Sequence, residues 1–125
     1  MKVRILGNTI RLRVKMHEAD KLRVQGMIEE VLEFGAHAEQ QIRFRVSRGT
    51  DHFAIAQQEM SVSIMIPAEI VDQWATTEQV GIEETITTSH DRYIKVLIEK
   101  DFACLDGNRD EEEGSYPNPI EECKK

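Results

Sequence analysis

Two stretches of the sequence alternate apolar and basic residues with the period of a β-strand. The first, VRILGNTIRLRV at 3–14, is interrupted by Gly7-Asn8, a pair that favours a hairpin turn. The second is QIRFRVSRG at 41–49. Successive residues of a strand point to opposite faces of its sheet, so both stretches predict strands with one dry face and one basic, solvated face.

The remaining segments predict an α+β domain. Residues 16–25 indicate a short helix that ends at Gly26, and Pro67 opens a second helix at its first turn. Residues 27–34 fit either a helix or a strand, and we favour a strand. Strand pairs are predicted for HFAIAQQEMSVSIMIP, with a turn near Gln58-Glu59, and for residues 80–87 with 92–102.

The predicted order is ββαββββαββ. This order indicates a mainly antiparallel sheet of about seven or eight strands with two short helices. Whether the sheet closes into a barrel is not decided by the pattern. We expect a single α+β domain over residues 1–105, followed by an acidic, proline-containing tail over 106–125. No apolar run is long enough to cross a bilayer, and the N-terminus alternates where a signal peptide would be uniformly apolar, so we expect a cytoplasmic protein with no membrane partner.

Charge is unevenly distributed along the 125 residues. The formal net charge of −7 argues against a general nucleic-acid binder, because affinity for phosphate backbones depends on clustered lysine and arginine. Residues 1–25 nevertheless hold seven basic groups against two acids, whereas residues 106–122 hold seven acids against one arginine. The two ends are therefore candidate electrostatic partners, within one chain or between the chains of a dimer.

Five arginines are the candidate binding residues. They lie at positions where they could project to one side of a sheet: Arg4, Arg11, Arg13, Arg43 and Arg45. Like charges on neighbouring strands destabilise the pairing, so something must compensate them. Glu29 and Glu33 on a neighbouring strand, water, the acidic tail or a bound anion could do so, which leaves a solvated ion-paired face and an anion-binding face as alternatives.

The near-repeat of IRLRV at 10–14 and IRFRV at 42–46 does not by itself indicate duplication, since strand alternation alone can produce it.

Metal-binding and catalytic signatures are incomplete in this sequence. Asp106, Asn108 and Asp110 begin like a calcium loop, but Glu111 and Pro117 stand where such a loop has Gly and Glu. The two cysteines and four histidines lack zinc-site spacing, and whether Cys104 and Cys123 form a disulfide is left open. No nucleotide-binding or nucleophile motif is present, so we expect no metal and no cofactor; we favour a non-enzymatic role and leave enzymatic activity open.

Several segments resemble those of a family of small bacterial proteins of unknown function: MKVRILGNTIRLRV, the Val-Gly at 80–81, LIEKDFACLD and YPNP. The resemblance covers essentially the whole chain and implies a complete single-domain bacterial protein. Because the family has no established activity, the resemblance implies no activity and no functional residues for this chain. A weaker similarity, to triphosphate-tunnel phosphohydrolases, implies polyphosphate and metal bound inside a barrel. Here MKVRIL replaces the Glu-x-Glu-x-Lys opening of those enzymes.

These observations predict a non-enzymatic binding or interaction module that associates with itself as a homo-oligomer. The alternative is a binder or hydrolase of phosphate-type or polyphosphate-type anions, with an anionic small molecule held by the five arginines.

Overall fold

The computed structural model describes residues 1–49 and 51–102. Its elements are β1 (Lys2–Leu6), β2 (Thr9–Val14), α1 (Met16–Gln25), β3 (Met27–Glu33), a 3₁₀ turn (Ala38–Gln40), β4 (Gln41–Arg48), β5 (Ala54–Gln58), β6 (Ser61–Ile66), α2 (Ala68–Thr76), β7 (Gly81–Thr87) and β8 (Tyr93–Lys100). The predicted α+β order is confirmed, and the ambiguous segment at 27–34 forms a strand.

The strands form two four-stranded sheets. Sheet A has the order β1-β2-β8-β7, and sheet B has the order β3-β4-β6-β5. Neighbouring strands are antiparallel except for the two central pairs, β2 with β8 and β4 with β6, which are parallel. Within the described ranges the strands do not close into a barrel.

The two halves of the described chain repeat the same ββαββ unit. A shift of 52 positions carries β1, β2, α1 and β4 onto β5, β6, α2 and β8, and a shift of 54 carries β3 onto β7. The strand registers also correspond, since the pair Thr9–Lys95 in sheet A matches Ser61–Arg43 in sheet B. This repeat is distinct from the IRLRV/IRFRV match, because β2 corresponds to β6 and not to β4.

The core follows the same repeat. Twelve of its buried side chains form six equivalent pairs: Leu12 and Ile64, Val14 and Ile66, Ala19 and Val71, Leu22 and Trp74, Ile28 and Ile82, and Val46 and Ile98. Each sheet takes one hairpin from each half, so one continuous core joins the halves. Trp74 is fully buried, and its indole N–H donates to the Val80 carbonyl at 3.0 Å.

The two helices pack against each other at one end of the sheets, because β2 leads directly into α1 and β6 leads directly into α2. At the start of α1, the Glu18 carboxylate accepts a hydrogen bond from the Lys15 N–H at 2.9 Å. The helix ends at Gly26, whose left-handed φ of 96° lets its N–H bond the carbonyl groups of the last turn. The opposite end of the sheets carries the hairpin turns Gly7-Asn8 and Glu59-Met60.

Candidate functional site

The structure divides the five candidate arginines between two surfaces. Three lie in sheet A on β1 and β2, and the other two lie in sheet B on β4. On β2 and β4 the arginines alternate with core residues such as Leu12 and Val46, so their side chains leave the core on the outer face of each sheet. The expectation of one shared arginine face is therefore not met, and the sheets that carry these arginines form no closed tunnel.

On sheet B the two arginines share one carboxylate. Glu29 of β3 lies 3.2 Å from Arg43 Nη1 and 2.6 Å from Arg45 Nε. The hydrogen bond from Arg45, together with the positive charge of both guanidinium groups, lowers the pKa of Glu29 despite its partial burial. Glu29, one of the possible compensating groups, thus contacts both arginines, whereas Glu33 accepts a hydrogen bond from the Gln41 amide at 3.2 Å.

The outer face of sheet A carries a denser set of cations on its first two strands: Lys2, Arg4, Arg11 and Arg13. In the hairpin register, Lys2 lies opposite Arg13 and Arg4 lies opposite Arg11. Two carboxylates of β8 and its exit approach them. Glu99 Oε1 lies 3.3 Å from Arg11 Nε and 4.0 Å from Arg13 Nε, and Asp101 lies 3.3 Å from Lys2 Nζ. We call these four cations the basic surface.

An apolar cleft of about 160 Å³ opens between the two sheets at the turn end. Sheet A contributes Ile5 and Ile10 to its walls, and sheet B contributes Phe44, Ile55 and Val62. Ile5 belongs to β1 and Ile55 to β5, so the cleft reaches one edge of each sheet. Ile5 is 61% exposed. The cleft thus offers an accessible apolar surface continuous with the core.

The four edge strands differ in charge. β1 carries Lys2 and Arg4, whereas the edges β3 and β7 each carry at least two glutamates. β5, with the sequence AIAQQ, carries no charged residue. Charged side chains on an edge strand discourage pairing with another chain, so β5 is the edge with the least protection of this kind. Sequence analysis predicted this strand but not its place at the edge, because edge position depends on the order of strands in the sheet.

The described residues bear on the metal and membrane predictions. In that part of the chain no three His, Cys, Asp or Glu side chains are arranged to hold a metal ion. No helix there has the length and apolar character needed to cross a membrane. The acidic tail, the calcium-like residues Asp106, Asn108 and Asp110, and both cysteines lie outside the described residues.

Comparison with known proteins identifies a family without identifying an activity. A model of a family of unknown function, DUF7009, matches residues 1–120. No curated protein and no solved structure matches the chain. Because the family match spans nearly the whole sequence, the chain belongs to DUF7009, a family of unknown function.

Proposed function

We propose that this protein is a non-enzymatic interaction module that binds an extended segment of a protein partner as an additional strand at β5. The observation that carries the proposal is the position of an uncharged edge strand beside an apolar cleft. The outer edge of such a strand presents backbone N–H and C=O groups that another strand can pair with.

In strand addition, the backbone and the side chains contribute differently to binding. Main-chain hydrogen bonds supply affinity without regard to sequence, and pockets that receive alternate side chains supply specificity. Ile55 lines the cleft, so alternate residues of an added strand would lie beside the cleft, on the same face of the sheet as Ile55. The other face of β5 presents Ala54 and Ala56, which leave room for large side chains on the partner.

The chemistry of this surface defines the partner segment. It should be extended, uncharged opposite β5, and apolar at alternate positions. A volume of about 160 Å³ suits one or two apolar side chains rather than a long acyl chain.

The probe for this proposal is a panel of capped nonapeptides that alternate threonine with valine, leucine or phenylalanine. At protein concentrations where the chain is monomeric, a bound peptide should slow hydrogen exchange of those amides in residues 54–58 that point away from β6, because it pairs with them. Ala56→Arg should weaken binding by roughly tenfold through steric and charge effects at the pairing edge. Thr87→Arg also places an arginine at an exposed position of an edge strand, in this case β7, and it should leave binding unchanged.

Equal protection of residues 81–87, or no protection of residues 54–58 by any peptide of the panel, would count against strand addition at β5.

A second candidate function is the binding of a phosphate-type or polyphosphate-type anion at the basic surface. The observation that favours it is the pairing of like charges directly across the β1–β2 hairpin, which an added anion would stabilise. Arg43 and Arg45 do not belong to this surface, because they lie on the other sheet and share Glu29. Tripolyphosphate, with and without magnesium, should raise the melting temperature through ligand linkage.

Arg13→Gln should reduce that increase in melting temperature, whereas Arg43→Gln should preserve it. Absence of a shift at millimolar tripolyphosphate would exclude this candidate.

A further inference from the structure

We infer that the strand added at β5 is β5 of a second copy of this chain, paired antiparallel about Ala56. The inference rests on the proposed function, since it names the partner that the β5 edge receives. Antiparallel pairing of a strand with its own copy creates a two-fold interface in which the central residue faces itself. When the two-fold axis passes through the midpoint of a strand, the midpoint residue therefore decides whether like charges meet at the centre of the pair.

The central residues of the four edge strands differ in this respect. The midpoint of β1 is Arg4, that of β3 is Glu30, and that of β7 is Glu84. Each of these charges would lie directly opposite its own copy, an arrangement that destabilises strand pairing. The midpoint of β5 is Ala56, which is small and uncharged. Of the four edges, β5 is thus the one whose midpoint can face its own copy without bringing like charges together.

The register about Ala56 produces no like-charge contact along the rest of the strand. Ala54 would lie opposite Gln58 of the second copy, and Ile55 opposite Gln57. Glu59, the first charged residue after β5, would lie opposite Phe53 and not opposite another glutamate. The two copies of sheet B would then form one eight-stranded sheet, and the cleft of each copy would border the β5 strand of the other.

The internal repeat supplies the substitution that tests this register. A shift of 52 positions carries Arg4 of β1 onto Ala56 of β5, so an arginine is already accommodated at the equivalent edge position. Ala56 is exposed on the outer face of sheet B. Ala56→Arg and Ala56→Glu should therefore change pairing at the edge while leaving the fold intact.

The experiment is sedimentation velocity on the full chain over a range of concentrations. The wild-type chain should sediment as a dimer. Each single variant, Ala56→Arg or Ala56→Glu, should raise the dimer dissociation constant by roughly tenfold or more, because it places like charges opposite each other at the centre of the interface. An equimolar mixture of the two variants should restore the dimer as a heterodimer, since Ala56 faces itself. Thr87→Arg is the matched control and should dimerise like the wild type, and melting curves on all variants verify folding.

Three results would overturn the inference: a wild-type chain that remains monomeric at millimolar concentration, an Ala56→Arg variant that dimerises like the wild type, or a mixture no more associated than either variant alone. A monomeric wild-type chain whose residues 54–58 are protected by the threonine-based peptides would overturn self-pairing and leave strand addition at β5 standing. A dimer that requires Ala56, combined with no peptide protection, would support self-pairing and contradict binding of a segment from another protein.

Discussion

Glu29 links two neighbouring strands through a single carboxylate. It lies opposite Arg45 in the β3–β4 pair, and it also contacts Arg43 two residues away. The alternating pattern of β4 was enough to predict that these arginines point outward and to place Glu29 among the groups that could compensate them. This local prediction succeeded because β3 and β4 are consecutive strands, whose mutual register depends on nearby residues.

Glu29→Gln should lower the free energy of unfolding at pH 7 by about 0.5–1 kcal/mol, a modest effect because both arginines are more than a third exposed to water. The folded-state pKa of Glu29 lies below its ordinary value of 4.5, so its contribution is complete above pH 4.5 and disappears as the pH falls through the lowered pKa. Urea unfolding, followed by fluorescence of the single tryptophan, Trp74, should show the variant and the wild type converging in acid.

Glu33→Gln provides the control for that experiment. It removes the same charge from the same strand, but Glu33 contacts the neutral amide of Gln41, so this change should affect the free energy of unfolding much less. A stability difference between Glu29→Gln and the wild type that stays constant down to acid pH would show that the loss has another origin.

The two hairpin turns at the open end of the sheets occupy equivalent positions but differ in chemistry. Gly7 and Glu59 each take the first turn position, with φ angles of 56° and 52°. Glycine adopts this left-handed conformation without strain, whereas a residue with a Cβ pays about 1–2 kcal/mol for it. The β5–β6 turn therefore contains strain that the β1–β2 turn avoids.

Glu59→Gly should raise the free energy of unfolding by about 0.5–1 kcal/mol, because relief of the left-handed strain exceeds the added entropy of glycine in the unfolded chain. Gly7→Ala is the reciprocal test. A Cβ there would meet no atom within 4 Å, so any loss of stability reports the backbone conformation alone. Urea titrations on both variants should give changes of opposite sign; a destabilised Glu59→Gly protein would mean that the glutamate side chain contributes more than its strain removes.

At the scale of elements, local patterns located the eight strands and two helices of the residues that the structure describes, 1–49 and 51–102, but not their arrangement. Gly26 and Pro67 mark helix boundaries because each acts on its own backbone, and the structure places Pro67 immediately before α2. The parallel pair formed by β2 and β8 joins residues such as Thr9 and Lys95, which no local pattern connects. The charge-free edge β5 was missed for the same reason, since a strand becomes an edge only through the order of the whole sheet.

At the scale of the molecule, the internal repeat is preserved in topology and burial more than in residue identity. Ala19 corresponds to Val71 and Leu22 to Trp74, so the equivalent core positions share apolar character but differ in volume. Close packing can accept such substitutions when neighbouring side chains adjust together. Comparison of residue identities therefore detects the five-residue match between β2 and β4, which are not equivalent strands. It does not detect the 52-residue repeat.

The exchange of hairpins between the halves predicts how the chain behaves when divided. Fragments 1–49 and 50–125 should each be largely unfolded alone, because two-stranded hairpins without a partner sheet are at best marginally stable. Mixed in equal amounts, they should recover sheet structure, since both parallel strand pairs and the shared core form only between halves. Circular dichroism would follow the strands, and the emission of Trp74 would report burial of its indole in the joined core.

Because Trp74 belongs to the second fragment and its equivalent Leu22 to the first, a buried tryptophan signal from monomeric 50–125 alone would contradict an interdependent core. Recovery of that signal only on mixing would establish that the two halves fold as one cooperative unit.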